Sequence, residues 1–147
     1  MSFEAWQYHH QIKQVTLLAK EHPNLKIVLN HFSGPLGIGP YRGKQNEIFE
    51  IWKKDIDELA KNQNVYAKLG GLAMPINGYE FHKQAMPPSS DQLIEAQKKY
   101  YEFSIKSFGP ERCMFESNFP VDKQSISYRT IWNCLLYTSP SPRDSDS

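Results

Sequence analysis

Long hydrophobic runs are missing from this sequence of 147 residues. None approaches the ~20 residues that a membrane-spanning helix needs, so no membrane partner is expected. Cysteine is scarce: Cys113 and Cys134 cannot form a disulfide framework, and a reducing, cytoplasmic setting is the expectation. An excess of one charge is also absent, with 17 Lys+Arg against 16 Asp+Glu and a net charge of +1. Without a basic surplus there is no electrostatic footprint for nucleic acid or an anionic surface. The start, MSFEAWQYHHQ, has neither a basic n-region nor an apolar h-region, so no signal peptide is read from it. No Walker loop, CxxC pair, HExxH or GxSxG occurs, and Gly37-Ile38-Gly39 lacks the third glycine of a dinucleotide fingerprint. A small molecule is the partner these exclusions leave.

What is present suits one globular domain. Hydrophobic residues make up 39% and aromatics 13%, enough rings to exclude a disordered chain. Three apolar runs predict buried strands: residues 26–30 (KIVLN), 65–69 (VYAKL) and 113–115 (CMF), with a fourth at 3–6 (FEAW). Between them lie amphipathic helices. Ile12, Val15, Leu18 and Ala19 share a face before Pro23; Ile48, Ile51, Trp52, Ile56, Leu59 and Ala60 predict a helix over 47–62. Ser89-Ser90-Asp91 offers N-caps for a helix carrying Leu93, Ala96, Tyr100, Phe103 and Phe108, closed by Gly109-Pro110. A last helix is expected from near Ser125, with Ile131 and Trp132 on it. Strand and helix alternate throughout, which means parallel pairing and the α/β class.

The connections are uneven. Helix-to-strand links are short, whereas the strand-to-helix links at 33–43 (four glycines, two prolines) and 70–88 are long. In α/β folds the strand C-terminal ends carry the site, so long loops on that side alone are what an enzyme shows. The stretch 135–147, LLYTSPSPRDSDS, changes abruptly to Ser, Pro and Asp. The string CLLYTSPSPRD looks like a translated sequencing adapter. The expected division is therefore a domain at 1–133 and a disordered, foreign tail at 134–147.

Several residues at that mouth can carry chemistry. His31 follows an apolar strand and opens a Gly/Pro-rich loop, where an imidazole can ligate a metal or polarise a carbonyl; a loop-capping role is the alternative. Glu116 and Asp122 flank Ser117-Asn118-Phe119-Pro120-Val121 after the third strand, and either carboxylate could serve as general base, although Asp122 could equally cap a helix. Lys68, beside Gly70-Gly71, could bind a substrate carboxylate or simply reach to the rim. Trp6 and Gln7 could line the pocket. His9-His10 is a weak signal, because neighbours in sequence point apart.

The segments FEAWQYHHQI, KIVLNHFSGPLGIGPYRG, VYAKLGGLAMPINGYEF and GPERCMFESNFPVDK resemble the C-terminal half of amidohydrolase-2 proteins, over about residues 3–133. The resemblance implies strands five to eight of a (β/α)8 TIM barrel, a hydrolase such as a lactonase of sugar acids or aromatic breakdown products, and a divalent metal such as zinc held in part by His31. The family's aspartate after strand eight falls on Asn118, and an amide cannot take a proton from water, so Asp122 or Glu116 is expected to act as base, with Asn118 binding substrate. The His-x-His pair of strand one has no counterpart here. A complete barrel takes roughly 250 residues, so this chain by itself is expected to be inactive, and Met1 falls inside strand five. Two alternatives stay open: a non-catalytic half-barrel that closes as a homodimer, and a decarboxylase of the same family.

Overall fold

In the computed structural model, residues 1–138 are described, and they alternate strand and helix: β1 (Ser2–Ala5), α1 (Ile12–Glu21), β2 (Lys26–Leu29), α2 (Gln45–Ala60), β3 (Val65–Leu69), α3 (Ser90–Phe108), β4 (Cys113–Phe115) and α4 (Tyr128–Thr138). The four strands form one sheet in sequence order, every pair parallel. Register places Ala5, Leu29 and Ala67 in one row and Leu69 beside Phe115. Because side chains alternate along a strand, Ile27, Leu29, Val65, Ala67 and Leu69 all turn to the helical layer and are buried. The opposite face carries Glu4, Val28 and Lys68.

The helical layer closes over aromatics. Trp52 is fully buried, its indole N–H donates to the Phe32 carbonyl at 2.6 Å, and its ring lies 4.8 Å from Tyr100. Helix α3 starts as the sequence implies: the Ser89 hydroxyl accepts from the Gln92 amide N–H, and the Gln92 side chain accepts from Ser89 N–H. It ends at Gly109, whose φ of +80° few other residues adopt. The last helix begins at Tyr128 rather than near Ser125. Residues Val121–Gln124 take a tight 3-10 turn first, and the Ser127 hydroxyl then accepts from Thr130 N–H at 3.0 Å. The helix runs on through Cys134 and Leu135, both buried, to Thr138; residues 139–147 of the expected tail lie outside the described residues. Among the described residues no helix is long and apolar enough to cross a membrane.

The strand N-terminal end is fastened by an arginine. Arg112, 8% exposed, donates to the carbonyls of Phe108 (2.9 Å), Asn62 (3.0 Å), Val65 (3.1 Å) and Ala60 (2.9 Å). It thus ties the ends of α2 and α3 to the start of β3, a cation at helix C-termini where the dipole favours it. Asn64 works beside it, its amide donating to the Ala19, His22 and Leu25 carbonyls. Arg112→Leu removes a donor from four carbonyls, of which Asn62 O keeps the Val65 N–H. We expect a loss of about 3 kcal/mol in urea unfolding, and Arg112→Lys to recover only part of it, since an ammonium lacks the fork.

Candidate active site

Three strand ends build the mouth. β2 delivers His31 and β4 delivers Glu116, whose amide N–H still pairs with the Leu69 carbonyl at 3.1 Å. β3 lies between them and ends in Gly70-Gly71. His31 Nδ1 and Glu116 Oε1 meet at 2.5 Å, a charge-assisted contact reaching across the intervening strand. The glycines make this possible. A Cβ at residue 70 would lie 2.3 Å from the Glu116 carbonyl oxygen, and one at residue 71 would lie 2.7 Å from His31 Nδ1, with φ already at +84°.

The backbone on the histidine side is strained. His31, Phe32 and Ser33 have φ of 52°, 55° and 56°, a run that non-glycine residues rarely sustain. Bonds from Ser33 N–H to Asn30 O, from Gly34 N–H to His31 O and from the Trp52 indole to Phe32 O hold it. The tight left-handed turn sets His31 beside Trp6, whose ring stands edge-on at 5.0 Å.

Asp122 is completely buried on the turn after β4. Its Oδ1 accepts from the Asn118 amide at 2.8 Å, the Ala73 backbone N–H also faces the carboxyl, and Oδ2 has no close hydrogen-bond partner among the described residues. Burial pushes the carboxyl up to about 6, with the Asn118 amide pulling the other way. Asn118, at φ 55°, spends its amide N–H on this bond, and its own backbone carbonyl accepts from Asp122 N–H at 3.0 Å.

The other expected residues scatter along the concave face. Lys68 is not free: its ammonium donates to Glu4 Oε2 at 3.0 Å, and Asn30 Nδ2 reaches the same oxygen at 3.2 Å. The Lys68 bond holds the Glu4 carboxyl below its ordinary range. Glu4 and Asn30 escaped the sequence reading, yet the period of two along β1 puts Glu4 on the face of Trp6. Gln7 lies near the surface, but its side-chain amide reaches neither solvent nor a partner. His9 is buried with its Nδ1 accepting from Leu36 N–H at 3.2 Å, and burial depresses its basicity; it does not chelate with His10. The two long loops are tied together by Gly37 N–H to Ile76 O (2.8 Å) and by the Asn77 amide to Pro35 O (2.8 Å). A cleft of about 500 Å³ opens farther out, between Phe81, His82, Phe119, Lys123 and Tyr128, and none of His31, Glu116 or Asp122 lines it.

A metal fits this donor set poorly. Among the described residues no three His, Cys, Asp or Glu side chains form a metal-holding group. Glu116 engages His31 Nδ1, and the Asn118 amide engages Asp122 Oδ1. His31 Nε2 is the donor left over, and one ring nitrogen alone does not hold a metal.

Two outcomes test this geometry. Gly71→Ala, which must displace the His31 ring, is expected to cost roughly 2–3 kcal/mol and to shift the His31 ring signals in a ¹H–¹³C spectrum, while Gly39→Ala, with nothing near its Cβ, leaves them in place. Asp122 binds its proton more tightly in the native state (about 6) than unfolded (3.8), so its stabilising contribution is present below 3.8 and lost as pH rises through 6. Asp122→Asn, which cannot ionise, should therefore gain on the native protein by on the order of 3 kcal/mol between pH 4 and pH 8, read as the difference in melting temperature at the two pH values.

Comparison with known proteins agrees with this architecture. The amidohydrolase family profile matches residues 4–145. The uncharacterised protein y4mH of Sinorhizobium fredii is 35% identical over 135 residues, covering 92% of this chain and 39% of that protein. The L-rhamnono-gamma-lactonase of Scheffersomyces stipitis is 29% identical over 113 residues, 76% of this chain and 32% of its own length. Among solved structures, a zinc-bound amidohydrolase of Burkholderia multivorans superposes with a TM-score of 0.78 at 19% identity, over 99% of this chain and 48% of that one. An amidohydrolase of Bifidobacterium longum subsp. infantis gives 0.65 at 17% identity, over 98% and 45%. The chain thus spans under half the length of each of these proteins. With its parallel sheet matching half of a (β/α)8 barrel, the chain belongs to the amidohydrolase family.

Proposed function

We propose that the complete barrel to which this half corresponds is a hydrolase that opens a lactone or similar cyclic ester with activated water. The observation that carries this reading is the meeting of His31 and Glu116 at the strand mouth, with a buried carboxyl on the adjoining turn held near neutrality. Glu116 accepts from Nδ1–H and fixes the imidazole, and in the doubly protonated ring Nε2–H is left to donate to the substrate carbonyl. Asp122, rather than Asn118, takes the proton from the attacking water, because a carboxyl at about 6 is ionised at neutral pH yet still basic enough to accept it. Asn118 holds that carboxyl in one orientation through its amide. The lactonase among the relatives supports the substrate class.

In a full-length barrel, His31→Ala is expected to lower kcat/KM for lactone hydrolysis by roughly 10²–10⁴-fold. The rate of the unaltered enzyme should rise with pH through about 6, as Asp122 loses its proton, and Asp122→Asn should abolish that limb. Unchanged turnover in His31→Ala would remove the histidine from the mechanism.

A further inference from the structure

Helix α3 hides polar atoms that nothing among the described residues satisfies. Gln97 and Tyr101 are four residues apart and share a helix face. Both are 0% exposed, and neither the Gln97 amide nor the Tyr101 hydroxyl has a hydrogen-bond partner. On the turn after β4 the same is true of Asp122 Oδ2 and Ser125 Oγ, in residues 0% and 4% exposed. The Tyr101 ring connects the two groups. It packs 4.8 Å from Phe32, next to His31, and 6.2 Å from Phe115, next to Glu116. Its hydroxyl lies in the field of Cys134, Asp122, Glu116 and Tyr79, and burial keeps it neutral and therefore a donor. Asp122 in turn is faced by the Asn118 amide, the Ala73 backbone N–H, His31 and Glu116. The phenol and the carboxylate are thus both buried, and each lies within the other's electrostatic reach. Native interiors satisfy such groups with buried water, each molecule making about three hydrogen bonds.

We infer that a buried water site lies between α3 and the turn at 121–125, where bound water accepts from the Tyr101 hydroxyl and donates to Asp122 Oδ2, Ser125 and Gln97 completing its shell. Tyr101 is then a positioning residue for the Asp122 carboxyl, whatever reaction the mouth performs. Removing a hydroxyl that has no partner relieves a protein, whereas removing one that holds a bridging water costs it. The sign of the effect separates the two.

The experiment uses the isotope-labelled chain. In the native protein, water–protein cross-relaxation should show long-lived water beside the Tyr101 ring and Ser125. Tyr101→Phe should remove those signals, lower the melting temperature by about 3 °C and move the midpoint of the Asp122 carboxyl ¹³C titration upward, because the ionised form has lost its donor. An equal or higher melting temperature, or an unmoved midpoint, would overturn the site. Should Tyr101→Phe fail to fold, Ser125→Ala gives a second reading: weakened water signals support the site, and unchanged ones refute it.

Discussion

Two side chains that are not there govern the mouth of this half-barrel. β2 and β4 are not neighbours, and their terminal residues could touch only if the strand between them withdrew. Gly70 and Gly71 accomplish this by presenting no Cβ where Glu116 and the His31 ring pass. The contact at 2.5 Å in turn fixes the direction of the imidazole, and a direction is what a polarising group needs. The left-handed run at residues 31–33 is the cost of bringing the ring over, and the Trp52 indole is the part of the core that holds it. Core packing and site geometry therefore meet at one carbonyl, that of Phe32.

The two ends of the sheet divide the labour. At the strand N-termini, Arg112 and Asn64 collect seven carbonyls from helix ends and turns. At the C-termini the backbone is strained, the loops are long, and polar atoms lie buried without partners. This is the pattern expected when stability is concentrated away from a functional site. The short links and long links of the sequence are its outward sign.

The elements were legible because each carried its own signal: a continuous β-branched run for β2, an apolar run for β3, threefold and fourfold spacing for α2, and a cap and a Gly-Pro stop around α3. The start of α4 falls later than expected near Ser125, because Val121–Gln124 take a 3-10 turn and the Ser125 and Ile126 N–H groups bond back to the Asp122 carbonyl. His31, Glu116 and Asp122 were visible from their positions after strands. Their relations were not, since a contact spanning 85 residues leaves no local trace. Lys68 read as a free cation because its partner, Glu4, sits on a distant strand. Arg112 drew attention only as part of a characteristic block, since a cation bound to carbonyls has no sequence partner of opposite charge to give it away.

That last arrangement has a consequence for how acid and base act on the molecule. A guanidinium stays protonated at every pH a protein meets, and carbonyl oxygens do not titrate, so the base of the sheet is fastened by bonds that solution conditions leave alone. His9, His31, Glu116 and Asp122 all lie toward the opposite rim. A rearrangement that protonation of His9 or Asp122 provokes begins among the loops, and the Arg112 bonds at the base do not respond to it.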